Sequence, residues 1–279
     1  MTDLYQDKNS QEQLAHEEIQ ACRKRIKELR KLKCITIILE DGDFDDTLFR
    51  WDDLSDEENV DKIKEYYEKC ICLVKEFNTD LEVMFEYADL LRFNGEYKEA
   101  IELFMTLETF YRMNGASNWE YLSLYHRMET CFEKTDGEIS SLPWSRKVLE
   151  FSLVLDEGDP DDKLNIVSIS LLRLVDLDWK NKSLAEDYRL FQQTLVLIKQ
   201  MSDDTQAAAN ELESIATCYI AICEAIQNGI ENVQTLQNAL ELIRTISEDQ
   251  PDLKWSRELS VCCNRLENIL ETKRPYLCP

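Results

Sequence analysis

Apolar positions recur at helical spacing along most of this chain, and the pattern is clearest in residues 81–112. Two stripes with spacings of three and four residues flank Gly95 there, which places each stripe on one face of a helix. The first comprises Met84, Tyr87, Ala88 and Leu91, and the second comprises Tyr97, Ala100, Ile101, Phe104 and Leu107. Because glycine tolerates a positive φ angle, the pattern predicts an antiparallel helical hairpin that turns at Gly95.

The same periodicity, with capping residues and prolines at helix starts, predicts helices on both sides of this hairpin. Their approximate ranges are 10–33, 55–77, 117–134, 143–155, 159–179, 183–201, 204–228, 230–247 and 251–272. We therefore predict an all-α fold, an irregular α-solenoid of antiparallel helix pairs with about eleven helices. Residues 1–54 would form an N-terminal basic helix and an acidic-aromatic segment. Residues 55–279 would form the solenoid, and its last helix would cap the open end.

The hairpin of residues 81–112 resembles a tetratricopeptide repeat (TPR). Ala88 stands at the small-residue position of the first helix, and Gly95, Tyr97, Ala100 and Phe104 follow at the family's intervals. Three positions depart from the family pattern, namely Met84, Leu91 and Arg112. The resemblance implies a TPR-like helical repeat protein that binds other proteins.

Two TPR positions bear on the kind of ligand. Some members of the family hold a C-terminal carboxylate with Lys and Asn side chains, and Phe85 and Asp89 occupy the matching positions here. Since an acid at that place repels a carboxylate, the resemblance disfavours this subclass. Asp89 is retained as a candidate contact for a basic partner.

The only basic segment of the chain is 23–33, which contains Arg23, Lys24 and Arg25. These three residues are candidates for contact with a partner or for a nuclear-localisation signal. The alternative is a solvated helix face that pairs with acidic residues elsewhere in the protein.

An acidic segment with interleaved aromatic residues follows at 40–58. It contains Phe44, Phe49 and Trp51, which are candidate partner-binding residues because such composition occurs in segments that fold onto a partner. The alternative is a strap that packs these rings back onto the solenoid. An EF-hand calcium site is excluded, because Asp46 and Asp52 stand where the loop requires Gly and Glu.

The net charge of the chain limits the kinds of partner that we expect. The chain has 32 basic and 56 acidic residues, and its net charge is −24. This balance disfavours binding to nucleic acid or to an anionic membrane and favours a basic protein partner. Solubility alone is the alternative explanation of the excess acid.

Known catalytic and metal-binding patterns are missing from the sequence. It has only 2 His, its 10 Cys include no CxxC pair, and no glycine-rich phosphate loop occurs. We therefore predict no catalytic residue, no metal and no cofactor. The N-terminus lacks an apolar signal core, so we expect a cytoplasmic or nuclear protein with reduced cysteines.

The leading functional hypothesis is a non-enzymatic scaffold or adaptor that binds a basic peptide or helix of a partner on an acidic helical-repeat surface. One form of it is a dedicated chaperone of a basic client. The alternative is a structural subunit of a larger nuclear or cytoplasmic complex. An enzyme with an unfamiliar acidic site is a third hypothesis, and no motif supports it.

Overall fold

Helices make up almost all of the described chain. The computed structural model describes residues 2–30, 50–54, 57–154, 160–181, 184, 186–200, 206–228, 233–249 and 255–272, and no β-strand occurs among them. The helices are α1 (Thr2–Arg30), α2 (Glu57–Phe77), α3 (Leu81–Phe93), α4 (Tyr97–Asn114), α5 (Asn118–Asp136), α6 (Leu142–Leu153), α7 (Pro160–Asn181), α8 (Tyr188–Lys199), α9 (Gln206–Asn228), α10 (Val233–Asp249) and α11 (Ser256–Thr272). Short 3₁₀ helices lie at Trp51–Asp53 and Glu138–Ser141.

Consecutive helices pack against each other in pairs. The most extensive contacts join α1 with α2, α3 with α4, α6 with α7, α8 with α9, α9 with α10 and α10 with α11. The prediction of an all-α fold with about eleven helices in successive pairs is therefore confirmed for the described residues. None of the described helices is both long and apolar enough to cross a membrane.

The chain divides into two compact units. Unit 1 comprises Met1–Ser117 and Thr130–Gly137, and unit 2 comprises Asn118–Glu129 and Glu138–Pro279. Helix α5 is therefore divided between the units. Its residues 118–129 belong to unit 2, and the rest of the helix belongs to unit 1. The sequence-based boundary between residues 54 and 55 remains a prediction.

The turn between α3 and α4 forms as the sequence predicts. Gly95 adopts a φ angle of 81°, and its N–H donates to the carbonyl of Arg92 at 3.0 Å. The next N–H, from Glu96, donates to the carbonyl of Leu91 at 2.9 Å. These bonds satisfy carbonyls at the end of α3 that have no partner inside the helix, so the chain reverses without a longer loop.

The core of unit 1 consists of the stripes that the periodicity indicates. The side chains on the inner face of α2 are all buried, namely Ile63, Tyr67, Ile71 and Val74. Ala88 of α3 and Ala100 of α4 are both fully buried. Small side chains at these positions let the two helices pack closely.

Unit 2 has a continuous apolar core built by α6 to α11, with Phe191, Leu212, Ile222, Ile243 and Leu266 among its buried residues. Two predicted helix starts differ from the structure. Helix α1 begins at Thr2 rather than at Ser10, because residues 2–9 contain no proline or glycine that would interrupt a helix. Helix α8 begins at Tyr188, after turns at Leu184 and Glu186 that replace the predicted first helical turn.

Candidate partner-binding surfaces

Six exposed carboxylates lie on α2 and α4 of unit 1, and we call them the acidic face. They are Asp61, Glu65, Glu68 and Glu76 on α2 and Glu99 and Glu102 on α4. Spacings of three, four and eight residues place the four on α2 along one side of that helix. Within the described part of the chain, no lysine or arginine forms an ion pair with any of the six.

Tyr87 is influenced by carboxylates of α2 and of the start of α4. Tyr87 on α3 is buried and stacks on Tyr67, with ring centroids 4.5 Å apart. Burial raises the pKa of Tyr87, and the charges of Glu68, Glu96 and Glu99 raise it further. Glu68 of α2 and Glu96 and Glu99 at the start of α4 therefore all act on one buried phenol.

Trp51 docks on the turn between α3 and α4. Its main-chain N–H donates to Oδ1 of Asn94 at 2.8 Å, and its indole N–H donates to the Glu96 carboxylate. Lys64 on α2 places its ammonium 5.1 Å from the Trp51 ring centroid and pairs with Glu96 at 2.7 Å. Trp51 is half-buried in this position. The structure thus holds this predicted site residue against the hairpin.

The neighbouring residues of the acidic-aromatic segment are only partly described. Arg50 places its guanidinium 4.9 Å from the ring centroid of Phe93, which adds a second contact to α3. Phe44 and Phe49 lie outside the described residues, and their assignment as partner-binding residues remains a prediction.

The three predicted basic site residues occupy different environments on α1. Arg23 is half-buried and pairs with Glu82 at 2.7 Å and with Glu86, both on α3. Arg25 is exposed and pairs with Glu28 of the same helix at 2.7 Å. Lys24 is exposed. Arg23 therefore links α1 to α3. This arrangement matches the alternative prediction that the basic segment pairs with acidic residues elsewhere in the protein.

Asp89 is an interior residue. Only 3 % of it is exposed, and its carboxylate accepts a hydrogen bond from Nε of Arg92 one turn later on α3. A buried carboxylate with an internal partner offers a ligand little surface. The geometry of Asp89 is that of a structural ion pair within unit 1.

The sequence reasoning did not identify an aromatic cluster on α5 and α6 of unit 2. Tyr125 lies with its ring centroid 5.3 Å from that of Phe151 and 5.8 Å from that of Trp144, and Tyr121 contacts Phe151 at 5.2 Å. The ammonium of Lys147 lies 4.2 Å from the Trp144 centroid and 4.5 Å from the Tyr125 centroid. The spacing of 144, 147 and 151 on one helical face was the available signal.

A buried carboxylate joins α5, α6 and α7. Glu129 is 0 % exposed and accepts hydrogen bonds from Ser145 at 2.5 Å and from Ser170 at 3.1 Å. Arg173 lies 3.0 Å from its Oε2 atom, and His126 lies 3.4 Å from it. Burial alone would raise the pKa of Glu129, but the nearby His126, the Arg173 charge and the hydrogen bond from Ser145 outweigh burial and lower this pKa. Glu129 is thus held ionised inside unit 2.

A second ion cluster connects α6, α7 and the start of α8. Arg146 donates from Nε to both carboxylate oxygens of Asp187 at 2.9 Å and from Nη2 to Asp178 at 3.2 Å. Asp178 is fully buried and Asp187 nearly so. A planar guanidinium suits this forked geometry, which fixes the orientation of three elements at once.

Arg265 of α11 makes a third such connection. It donates to Asp176 at 2.9 Å and to the Tyr219 hydroxyl, and its guanidinium lies 4.8 Å from the ring centroid of Trp179. These contacts join α7, α9 and α11. In all three clusters the polar groups pair with one another across helices, an arrangement that orients the helices of unit 2.

The described cysteines carry no disulfide. Seven of the eight are buried or half-buried, and Cys72 on α2 is exposed. Burial raises the pKa of three of the thiols to about 12, namely Cys70, Cys131 and Cys223. No group of three or more His, Cys, Asp or Glu side chains among the described residues is arranged to hold a metal ion.

Comparisons with known proteins identify no relative. No protein-family model, no curated protein sequence and no solved structure matches this chain.

Proposed function

We propose that this protein is a non-enzymatic helical-repeat adaptor that binds a basic segment of a partner protein on the acidic face of α2 and α4. The observation that carries the proposal is the set of six exposed carboxylates without an ion pair among the described residues. Like charges at helical spacing repel one another, and a bound cationic segment relieves that repulsion. One form of this function is a dedicated chaperone that shields a basic client.

Two further properties support the proposal. The net charge of −24 steers a basic partner toward the protein and accelerates association at low salt. The burial of Ala88 and Ala100 and the turn at Gly95 support the proposal that the hairpin of α3 and α4 is TPR-like. We include a TPR-like origin of this hairpin in the proposal.

We also propose that the protein acts in the cytoplasm, the nucleus or both. The described cysteines are all free thiols, which suits a reducing compartment.

A second candidate function is a structural subunit of a larger assembly, favoured by two exposed methionines on α4. Met105 is 43 % and Met113 is 72 % exposed. Methionine adapts to varied apolar surfaces, so these residues suit a constitutive apolar interface. Salt separates the two functions, because a charge-dominated complex weakens steeply with ionic strength and an apolar one does not.

The test is affinity purification of the tagged protein at low and high salt with three variants compared in parallel. In one variant, Glu68→Gln and Glu99→Gln remove two charges from the acidic face. In the matched control, Glu241→Gln and Glu271→Gln remove two exposed charges from α10 and α11. The third, Met105→Ser with Met113→Ser, removes the exposed apolar side chains of α4.

The adaptor function predicts that the basic proteins that co-purify at low salt are lost at high salt. It also predicts that the acidic-face variant binds them roughly three- to thirty-fold more weakly, because each exposed ion pair contributes up to about 1 kcal/mol. The control should bind like the wild type. If both charge variants bound the basic proteins equally weakly, only the net charge would matter. That result would reject a defined binding site on the acidic face. Salt-resistant partners lost only in the methionine variant would favour the structural subunit.

A further inference from the structure

One exposed row of side chains runs along α4 and changes from acidic to apolar on the way. It comprises Glu99, Glu102, Met105, Thr109 and Met113, all of them exposed. Successive steps of three or four residues place the five side chains on one face of the helix. At about 1.5 Å of rise per residue, the row is about 21 Å long, or about four helical turns. We call it the α4 row.

The first two residues form the acidic half of the α4 row. Glu99 and Glu102 both belong to the acidic face, and within the described chain no lysine or arginine forms an ion pair with either carboxylate. The chemical complement of this half is therefore a pair of cationic side chains from a partner.

The last three residues form the apolar half of the row. Met105 and Met113 are exposed, and methionine adapts to varied apolar surfaces. Thr109 lies between them on the same face, and its hydroxyl donates to the main-chain carbonyl of Met105 at 3.2 Å. Because that bond satisfies the hydroxyl, an apolar side chain can cover Thr109 without leaving an unpaired donor. The complement of this half is therefore a set of apolar side chains.

A ligand that satisfies both halves has cations at one end of a face and apolar side chains at the other end. A helix laid along α4 presents such side chains turn by turn, at the spacing of the row. An extended chain rises about 3.3 Å per residue and points successive side chains to opposite sides, so it does not match that spacing. Cations stabilise the last turn of a helix through its dipole. A partner helix with its cations near its C-terminus therefore runs antiparallel to α4.

A second copy of this chain does not meet these requirements. Two antiparallel copies of the α4 row would place the carboxylates of each copy against the apolar half of the other, which buries charge without a cation. Two parallel copies would place acid beside acid. The complementary ligand is therefore a different protein.

We propose that the α4 row binds a basic amphipathic helix of a partner protein, with apolar side chains on the apolar half and the lysine or arginine side chains of its last turns on the acidic half. This inference rests on the proposed adaptor function, since Glu99 and Glu102 belong to the acidic face. It adds the conformation of the ligand, its direction along α4 and its apolar contacts. Charge alone fixes none of these three properties.

The experiment uses the full chain and blocked alanine-glutamine peptides that favour a helix. The test peptide carries leucines on one face of its first turns and lysines on the same face of its last turns. One control peptide carries the lysines on the opposite face, a second exchanges leucines and lysines between its ends, and a third is a flexible glycine-lysine peptide. Calorimetry at several temperatures and salt concentrations measures the affinity and the heat capacity change. Magnetic resonance of the isotope-labelled test peptide measures its helix content when bound.

Met105→Ser with Met113→Ser tests the apolar half. Burial of apolar surface on binding lowers the heat capacity, so the wild type should show a negative heat capacity change that this variant largely loses. The affinity of the variant for the test peptide should fall about five- to thirty-fold, with its salt dependence unchanged. Val196→Ser, which removes an exposed apolar side chain of α8, is the matched control and should bind like the wild type.

Glu99→Gln with Glu102→Gln tests the acidic half. This variant should bind the test peptide about three- to thirty-fold more weakly at low salt, and its affinity should depend less on salt. The heat capacity change should stay as in the wild type. Glu241→Gln with Glu271→Gln, at exposed positions of α10 and α11, is the matched control and should bind like the wild type. On wild type, the test peptide should become helical and should bind about ten-fold more tightly than each control peptide.

Failure of this inference and failure of the adaptor function give different results. If the flexible glycine-lysine peptide binds as tightly as the test peptide and only the glutamate variant weakens it, the adaptor function stands and the amphipathic helix is rejected. Equal binding of the peptide with exchanged ends, or a bound test peptide that is not helical, rejects the inference in the same way. If only the methionine variant weakens the test peptide, or if no lysine peptide binds, both proposals are rejected.

Discussion

The side-chain amide of Asn94 connects Trp51 to the end of α3. Its Oδ1 atom accepts the main-chain N–H of Trp51 at 2.8 Å, while its Nδ2 atom donates to the carbonyl of Leu90 at 2.9 Å. The second bond orients the amide so that its oxygen points at Trp51. A residue of the helical hairpin therefore fixes the position of a residue that lies 43 positions earlier in the chain.

This relationship predicts that Asn94→Ala lowers the free energy of unfolding by about 1 to 2 kcal/mol, because two side-chain hydrogen bonds are lost and the main-chain N–H of Trp51 loses its acceptor. Chemical denaturation followed by circular dichroism measures the change. The control is Asn264→Ala at an exposed position of α11, which should change stability by less than about 0.5 kcal/mol. Equal stability of the two variants would show that the docking of Trp51 contributes nothing.

Close packing of α3 on α4 predicts that Ala88→Leu destabilises the protein by about 1 to 3 kcal/mol, since Ala88 is fully buried and a larger side chain overpacks the site. Ala21→Leu is the matched control, because Ala21 is exposed on α1. Thermal unfolding of both variants tests this. An unchanged melting temperature for Ala88→Leu would contradict the packing described for the hairpin.

The lowered pKa of Glu129 predicts acid sensitivity of unit 2. The pKa of Glu129 is lower in the folded state than in the unfolded state, where it is near 4.5. The ionised carboxylate therefore stabilises the fold fully above pH 4.5, and this stabilisation is lost as the pH falls through the pKa of the folded state. Glu129→Gln should cost about 3 kcal/mol at pH 7, because the charge of Arg173 loses its buried partner. The stability difference between wild type and variant should narrow below about pH 4.5.

Denaturant unfolding at several pH values between 3 and 8 measures this linkage. Glu271→Gln serves as the control, since Glu271 is exposed at the end of α11 and its replacement should change stability by less than about 0.5 kcal/mol. A wild-type advantage over Glu129→Gln that stays constant down to pH 3 would contradict the assignment of an ionised Glu129.

Burial of the cysteines predicts selective alkylation. Only the thiolate reacts, and burial raises the pKa of Cys131 and Cys223 to about 12, so both should resist iodoacetamide in the native protein. Cys72 is exposed and should be labelled first among the described cysteines. Peptide mass spectrometry after brief labelling, with a sample unfolded in urea as the reference, would show this order. Rapid native labelling of Cys131 would contradict its buried position.

Helical periodicity was sufficient to identify buried faces. The stripe predicted before Gly95 is buried at all four of its positions, Met84, Tyr87, Ala88 and Leu91, and Gly95 has the positive φ angle that the pattern requires. Predicted helix boundaries were less accurate where a capping residue is preceded by residues that themselves favour a helix. Ser10 has the features of a helix cap, yet α1 passes through it, because a capping residue stops a helix only when the preceding residues do not themselves continue it.

The all-α fold class and the inner faces of the helices could be predicted from the sequence alone, because both follow from the local spacing of apolar side chains. The sequence could not determine which charges are exposed. Asp89 and Glu129 look like surface acids in the sequence, but the packing of neighbouring helices buries them beside Arg92 and Arg173. The tertiary structure alone also placed Trp51 on Asn94 and Lys147 between Tyr125 and Trp144. Such contacts depend on the distances between elements, which the order of residues along one helix does not specify.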